Sequence, residues 1–409
     1  MAMALDSALL TTRAAAEAYV GGVCFKLGPP ELIGAELEWL TVCDDGDCSR
    51  PSLAVLAAAL GEHSPKTIAP SSPARPLPAG SYVTIEPGGQ IEISSAPHSS
   101  AELLSRSLRQ DTNHLRELLA AHSVTMIDRA ADANRLPQRL LPSSRYRAME
   151  DVFASIGPFG KLMMCNTAAT QISLDAGADA AEVKARWNAL VAVGPALLAA
   201  FACSPSLAGA PRGKWASQRM RAWLQLDRSR TATPVGANTD PIAGYAAWAL
   251  DVPLLCVSGE PGADWSAPPG ATFADWIEGN LDNELGRRPG CRDLDYHLTT
   301  VFPQVRASGH LEVRYIDAQP GELWQVPIAA FEALLSTPAV VAEATALAAG
   351  TAHRWWDSAE FGLADTELRC AATALLELAA AHSTWDDGTA ALEAAAQRCR
   401  LGGSPTEMG

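Results

Sequence analysis

Residues 81–97 read SYVTIEPGGQIEISSAP. Tyr82-Val83-Thr84-Ile85 and Gln90-Ile91-Glu92-Ile93 alternate with the period of two that marks short strands, and Pro87-Gly88-Gly89 lies between them. Glycine adopts positive φ without strain, so the segment is predicted to be a hairpin. Glu86 and Glu92 flank its turn, and pairing would let their side chains converge. Acidic groups among β-branched residues are unfavourable unless something binds them. A divalent cation with oxygen ligands is the usual partner.

The nearest acidic stretch upstream, LIGAELEWLTV at 32–42, reads as a strand with Glu36 and Glu38 on one face and Leu37 and Trp39 on the other. An exposed edge strand would show the same pattern, but the acidic pair at 81–97 favours a shared site. Downstream, GHLEVRYI at 309–316 is a strand with Glu312 and Arg314 on one face, MMCNTAATQISL at 163–174 alternates like another, and 124–127 is a short one. Helices are expected over 6–20, ending at Gly21-Gly22, then over 51–60, 99–121 with Ser99 or Ser100 as cap, 140–156, 180–202, 239–250 and 271–279. Ala-rich helices fill 326–400, and the last nine residues are expected to be a disordered tail. The fold class that results is α+β: a curved, mostly antiparallel sheet forming a cup, covered by helices, with 1–409 as a single catalytic domain.

With 48% hydrophobic and 19% charged residues the chain has the composition of a globular protein. Its net charge of -15 argues against nucleic acid or an anionic membrane as the main partner. No apolar run is long enough to span a bilayer, and Asp6, Arg13 and Glu17 interrupt the segment where a signal peptide needs an apolar centre, so a cytoplasmic location is expected. The nine cysteines form no CxxC pair and are expected to be free thiols.

SQRMRAWLQLDRSRT at 217–231 brings four arginines into this acidic chain. Such a run is often a solvated helix face, yet the guanidinium fork also matches a phosphate. Glu36, Glu38, Glu86, Glu92 and Glu312, with Arg219 and Arg314 and no Cys/His ligand set, point to magnesium rather than zinc. Magnesium held by carboxylates suits an enzyme that binds nucleotide phosphates and transfers one of them. P-loop, kinase and Rossmann glycine patterns are absent.

Five strings carry a resemblance: IGAELEW, IEPGGQIEISSAP, MMCNTAATQISLD, SQRMRAWLQLDRSRT followed by ALDVPLL, and HLTTVFPQVRASGHLEVR. In this order they resemble the motifs of glutamate-cysteine ligases of plant and bacterial type, in the glutamine-synthetase-like superfamily, over about 30–330. The likeness is greatest to actinobacterial members that make γ-glutamylcysteine for ergothioneine synthesis. The resemblance implies ATP-dependent joining of the L-glutamate γ-carboxylate to the L-cysteine amine through an acyl phosphate, with two or three Mg²⁺ ions. It implies that Glu36, Glu38, Glu92 and Glu312, with Glu86, hold metal, that Arg219 acts on the phosphoryl group and Arg314 on a phosphate or a substrate carboxylate, and that Thr167, Gln171, Trp223 and Arg230 contact substrate or ATP. Competing expectations are another carboxylate-amine ligase of the superfamily with a different amine, or a non-catalytic metal-binding protein.

Overall fold

The computed structural model describes residues 9–44, 48–232, 240–260 and 262–408. Strand β1 (Ile33–Cys43) sits at the centre of its sheet. Ile33, Ala35, Leu37 and Trp39 enter the core, while Glu36 and Glu38 emerge on the opposite face. The hairpin forms as expected from β2 (Tyr82–Ile85) and β3 (Ile91–Ser94). With β4 (Val124–Ile127), β5 (Ala169–Leu174), β6 (Val305–Ala307) and β7 (Leu311–Asp317) the sheet has seven strands, ordered β2-β3-β1-β5-β7-β6, and β4 pairs with the C-terminal end of β1. Every strand pair is antiparallel.

Alternation gives each strand one wet and one dry face. Val83, Ile85, Ile91, Ile93, Val313 and Tyr315 are buried on the dry side. The long helix Ala180–Phe201 packs there, and Tyr315 donates to the Leu190 carbonyl at 2.9 Å. Helix Ala101–Ala120 covers β1 and β4 with Leu104, Leu108, Leu115 and Leu119, each fully buried. A leucine so buried contributes about 1.5–3 kcal/mol, so this one stripe outweighs the roughly 1 kcal/mol of the helix cap. That cap is Ser100, which accepts from the Leu103 N–H. The C-terminal helices Thr366–His382 and Asp386–Arg400 pack on each other, and the former also packs on Ala180–Phe201.

The hairpin turn is seated on a neighbouring helix, Phe159–Asn166. Gln90 accepts from the Gly88 N–H and donates to the carbonyls of Met164 and Thr167. A Cβ at Gly88 would lie 2.2 Å from the Cys165 carbonyl oxygen, and Gly89 has φ 87°. Glycine is required at both positions, for close approach at one and for backbone conformation at the other.

Three expectations are corrected. The N-terminal helix runs Arg13–Cys24, straight through Gly21 and Gly22, and residues 6–8 of the expected helix lie outside the described residues. Gly21 permits close packing instead of ending the helix, since a Cβ there would meet the Ile242 side chain at 3.2 Å. Met163 to Asn166 belong to a helix and only the second half of MMCNTAATQISL is strand. That helix is buried all round apart from Lys161, so its apolar spacing carried no period to read. Residues 401–408 are ordered: Arg398 donates to the Gly403 carbonyl, and Pro405–Met408 form a 3₁₀ turn.

Thr239 in the expected 239–250 helix lies outside the described residues, and the helix is Pro241–Asp251. Among the described residues no disulfide joins any of the nine cysteines. Among the described residues no single helix is long and apolar enough to cross a membrane. The apolar pair Gln325–Leu334 and Pro338–Ala348 is bent by 111°.

Candidate active site

On the wet face of the sheet a cavity of about 260 Å³ is walled by Glu36, Glu38, Glu86 and Glu92 on one side and by Arg145, Arg219, Arg306 and Arg314 on the other. Strand register explains the acidic wall. Glu38 stands directly opposite Glu92, Thr84 is the next neighbour of Glu92, and Glu36 faces Gln171. Like charges directly opposite on adjacent strands destabilise a sheet, so this wall is maintained against a cost in stability.

Few protein groups relieve that cost. Gln171 donates to Glu36 at 3.1 Å and to Glu38 at 3.0 Å, the Ala169 N–H reaches Glu38 at 2.9 Å, and Thr84 donates to Glu92 at 2.6 Å. The Glu86 carboxylate accepts no hydrogen bond among the described residues. Burial, then the charge of Glu312, pushes Glu36 up to about 6. Burial, then Glu86, pushes Glu38 up to about 8. Burial raises Glu86, and burial with the three other glutamates raises Glu92 well above the carboxylate range.

Glu312 behaves in the opposite way. It lies beneath the cavity wall, 1% exposed, and takes Arg306 on one carboxylate oxygen and Arg314 on the other. Burial works against its charge, but the two guanidiniums overcome burial and hold it at about 2. Both oxygens of Glu312, expected to hold metal, are engaged by guanidiniums, so a cation would first have to displace one of them. Arg306, not singled out in the sequence, enters the site because the β6–β7 ladder sets it directly opposite Glu312.

The basic run at 217–231 is mostly buried and is not a solvated face. Helix Gln218–Leu226 is buried on nearly every side, and of its run only Arg219 reaches the cavity among the arginines. Arg221 is stacked between Phe159 and Trp215. Arg230 donates to Asp227 and to the carbonyls of Thr300 and Pro253, so the structure places it in the scaffold and not on the cavity wall. Trp223 lies under two cations, 5.5 Å from the Arg219 guanidinium and 5.4 Å from that of Arg314, and its indole N–H donates to the Phe302 carbonyl. Its visible work is to hold arginines.

Thr167 lines the cavity but spends its hydroxyl on the Met163 carbonyl. The β5–β7 ladder slips at Gln171, which turns that side chain into the cavity. Its carbonyl oxygen is buried without a partner, and so is Nε of Arg314. The cavity thus holds one orphan acceptor beside the acidic wall and one orphan donor in the basic wall. Arg145 and Tyr146, from helix Ser144–Ile156, close the mouth. Arg145 donates to the hydroxyl and carbonyl of Thr299, and burial followed by Glu86 raises Tyr146 so that it stays a neutral donor.

The geometry provides carboxylates for a cation and guanidiniums for an anion across one small space. Among the described residues no three His, Cys, Asp or Glu side chains already converge on a single point. The acidic wall suits a hard cation, since its four carboxylates have raised proton affinity and, among the described residues, none is joined to an arginine by a direct salt bridge.

A model of glutamate-cysteine ligase family 2 (GCS2) matches residues 32–407. The chain belongs to this family. It is 35% identical over 379 residues to the glutamate–cysteine ligase EgtA of Mycobacterium tuberculosis (strain H37Rv), covering 92% of this chain and 84% of that one. A chloroplastic glutamate–cysteine ligase of Medicago truncatula is 31% identical over 245 residues, 58% of this chain and 47% of that one. Among solved structures, a bifunctional glutathione synthetase from Pasteurella multocida aligns with a TM-score of 0.51 at 12% identity, covering 96% of this chain and 49% of that one. The last likeness bears on the fold alone. The ligase-family strings expected from the sequence therefore coincide with strands and turns that wall the cavity: IGAELEW with β1, IEPGGQIEISSAP with the hairpin, and the end of HLTTVFPQVRASGHLEVR with β6 and β7.

Proposed function

We propose that this ligase joins the γ-carboxylate of L-glutamate to the α-amine of L-cysteine at the expense of ATP, giving γ-glutamylcysteine, ADP and phosphate. The single observation that carries the reading is the cavity of four underneutralised carboxylates facing four arginines. An oxygen of the γ-carboxylate attacks the terminal phosphorus and ADP leaves. The cysteine amine then attacks the acyl carbon, a C–N bond forms, the C–O bond to phosphate breaks, and the nitrogen gives up a proton.

The residues divide this work by charge. Glu36, Glu38, Glu86 and Glu92 are the groups that would hold Mg²⁺. Bound there, magnesium would supply neutralisation between triphosphate and γ-carboxylate. Arg219 and Arg314 sit across the cavity, where guanidiniums stabilise the transferring phosphoryl oxygens. The orphan Nε of Arg314 is a donor with no other task. Glu312 keeps Arg306 and Arg314 pointed and charged. The orphan oxygen of Gln171 can accept from an ammonium or amine group of a substrate.

The match to EgtA proteins supports a role in supplying γ-glutamylcysteine for ergothioneine synthesis, and a cytoplasmic location fits that role. The packing of the C-terminal helices on Ala180–Phe201, directly behind the sheet, supports the whole chain acting as one catalytic unit. The test is glutamate- and magnesium-dependent phosphate release with cysteine as amine, compared with serine, alanine and 2-aminobutyrate. Release with cysteine well above the others is the expected result. Equal rates with every amine would remove cysteine from the reading, and no ADP with any of them would remove ligation.

A further inference from the structure

Behind Arg219 lies a buried acid that the reaction as drawn does not use. Asp317, the last residue of β7, is 2% exposed. One of its oxygens accepts from the Cys203 N–H at 3.0 Å and the Ser204 hydroxyl at 2.7 Å, and the other from the Ser217 hydroxyl at 2.8 Å. The Arg219 guanidinium stands 3.8 Å from that second oxygen. Ser217 is the N-cap of helix Gln218–Leu226, accepting from the Met220 N–H, and the Ser204 hydroxyl accepts from the Arg219 N–H.

The arrangement joins Arg219 to Asp317 twice, through the charge of its side chain and through the backbone of the turn that carries it. Among the described residues no other carboxylate forms a salt bridge with Arg219, and its remaining guanidinium contacts are the Arg314 carbonyl, the Met220 sulfur and the Trp223 ring. A fully buried guanidinium with only neutral partners would be strongly penalised, so an acid is needed where Asp317 stands. Three donors saturating that acid stop it from swinging into the cavity. Arg219 also donates to the Arg314 carbonyl at 2.8 Å, so the anchor on Asp317 is tied to the strand that carries a second arginine of the basic wall.

We propose that Asp317, with Ser204 and Ser217, is the positioning residue that aims Arg219 at the transferring phosphoryl group. The inference rests on the ATP-dependent reading of the cavity. Asn at 317 keeps the shape and the acceptor for Cys203, but loses the charge facing Arg219 and places an amide donor among donors.

The test is a double-mutant cycle on the full chain, reading phosphate release at saturating substrates together with KM for ATP. D317N alone is expected to lower kcat about 10- to 100-fold, the effect of a small misplacement of a catalytic group. Its KM for ATP should change by less than about threefold, since the arginine acts mainly on the transition state. R219A is expected to lower kcat at least as far, and R219A/D317N is expected to match R219A. Additive losses, or full kcat in D317N, would overturn the proposal. Should D317N fail to fold, S204A and S217A each remove one bond to Asp317 and are read in the same cycle. Normal turnover of R219A would defeat the reading of the cavity itself, a result distinct from additivity.

Discussion

Replacing Glu92 with Gln should make the metal-free protein more stable and the enzyme inactive. Glu92 lies directly across from Glu38, and its own hydrogen bond, from Thr84, would be retained by the glutamine carbonyl oxygen. Cross-strand neighbours stand about 5 Å apart, and at an effective dielectric near 20 two full charges at that separation repel by about 3 kcal/mol. Both carboxylates bind protons more tightly than usual, which reduces the repulsion, so the expected relief is about 1–3 kcal/mol. With unfolding entropy of about 2.1 cal/mol/K per residue, a chain of 409 residues gains roughly 1 °C in Tm per kcal/mol, or about 1–4 °C. The assay is thermal unfolding in chelator from pH 5 to 8, repeated with magnesium. Glu92 has a folded pKa above its unfolded value, so its ionisation lowers stability only as pH rises. The advantage of Glu92→Gln should therefore be largest at pH 8 and fade toward pH 5. Magnesium should raise the Tm of the wild type more than that of the variant. A variant that melts below the wild type in chelator at pH 8 would refute the argument that the acidic wall is strained.

Glu312→Gln should do the reverse. It removes the acid that pairs both Arg306 and Arg314, and breaking a buried pair from one side costs about 3–5 kcal/mol, so a Tm fall of roughly 3–6 °C is expected. Because Glu312 is held at about 2, its contribution should persist above the ordinary carboxylate range and be lost only as pH falls toward 2; an unchanged melt would show that its pairs are energetically idle. Magnesium affinity should tighten as pH rises through about 6 and about 8, where Glu36 and Glu38 lose their protons. Titration calorimetry in buffers of different ionisation enthalpy should detect proton release at pH 6.5, and a pH-independent affinity would exclude those two residues as ligands.

The acidic wall was legible because period-two geometry is local: Glu36 and Glu38 had to share a face, and the glycine turn had to fold the strand carrying Glu92 back toward Glu86. What escaped was set by register and by burial. Arg306 stood inside a recognised string, and the short reversal at Ser308-Gly309-His310 was the signal that would have paired it with Glu312. Arg145, Tyr146 and Asp317 carry no local mark, since each matters through a partner far away in the chain. Arg230 misled for the same reason, because a basic run does not disclose which guanidinium faces a cavity and which ties down Thr300 and Pro253. Met163–Asn166, the end of helix Phe159–Asn166, passed for strand because an element buried on almost every side has no polar face to set its phase.

The seat of the hairpin on helix Phe159–Asn166 has a mechanical consequence. Gln90 bolts the turn to the end of that helix, and Gly88 leaves no clearance above Cys165, so the acidic wall and the helix, whose Met163 and Met164 also line the cavity, are one rigid jaw. A jaw of this kind cannot widen by flexing its own hinge. Any compliance needed to admit a nucleotide and two amino acids must come from the opposing jaw, where Arg145 grips Thr299 through two hydrogen bonds.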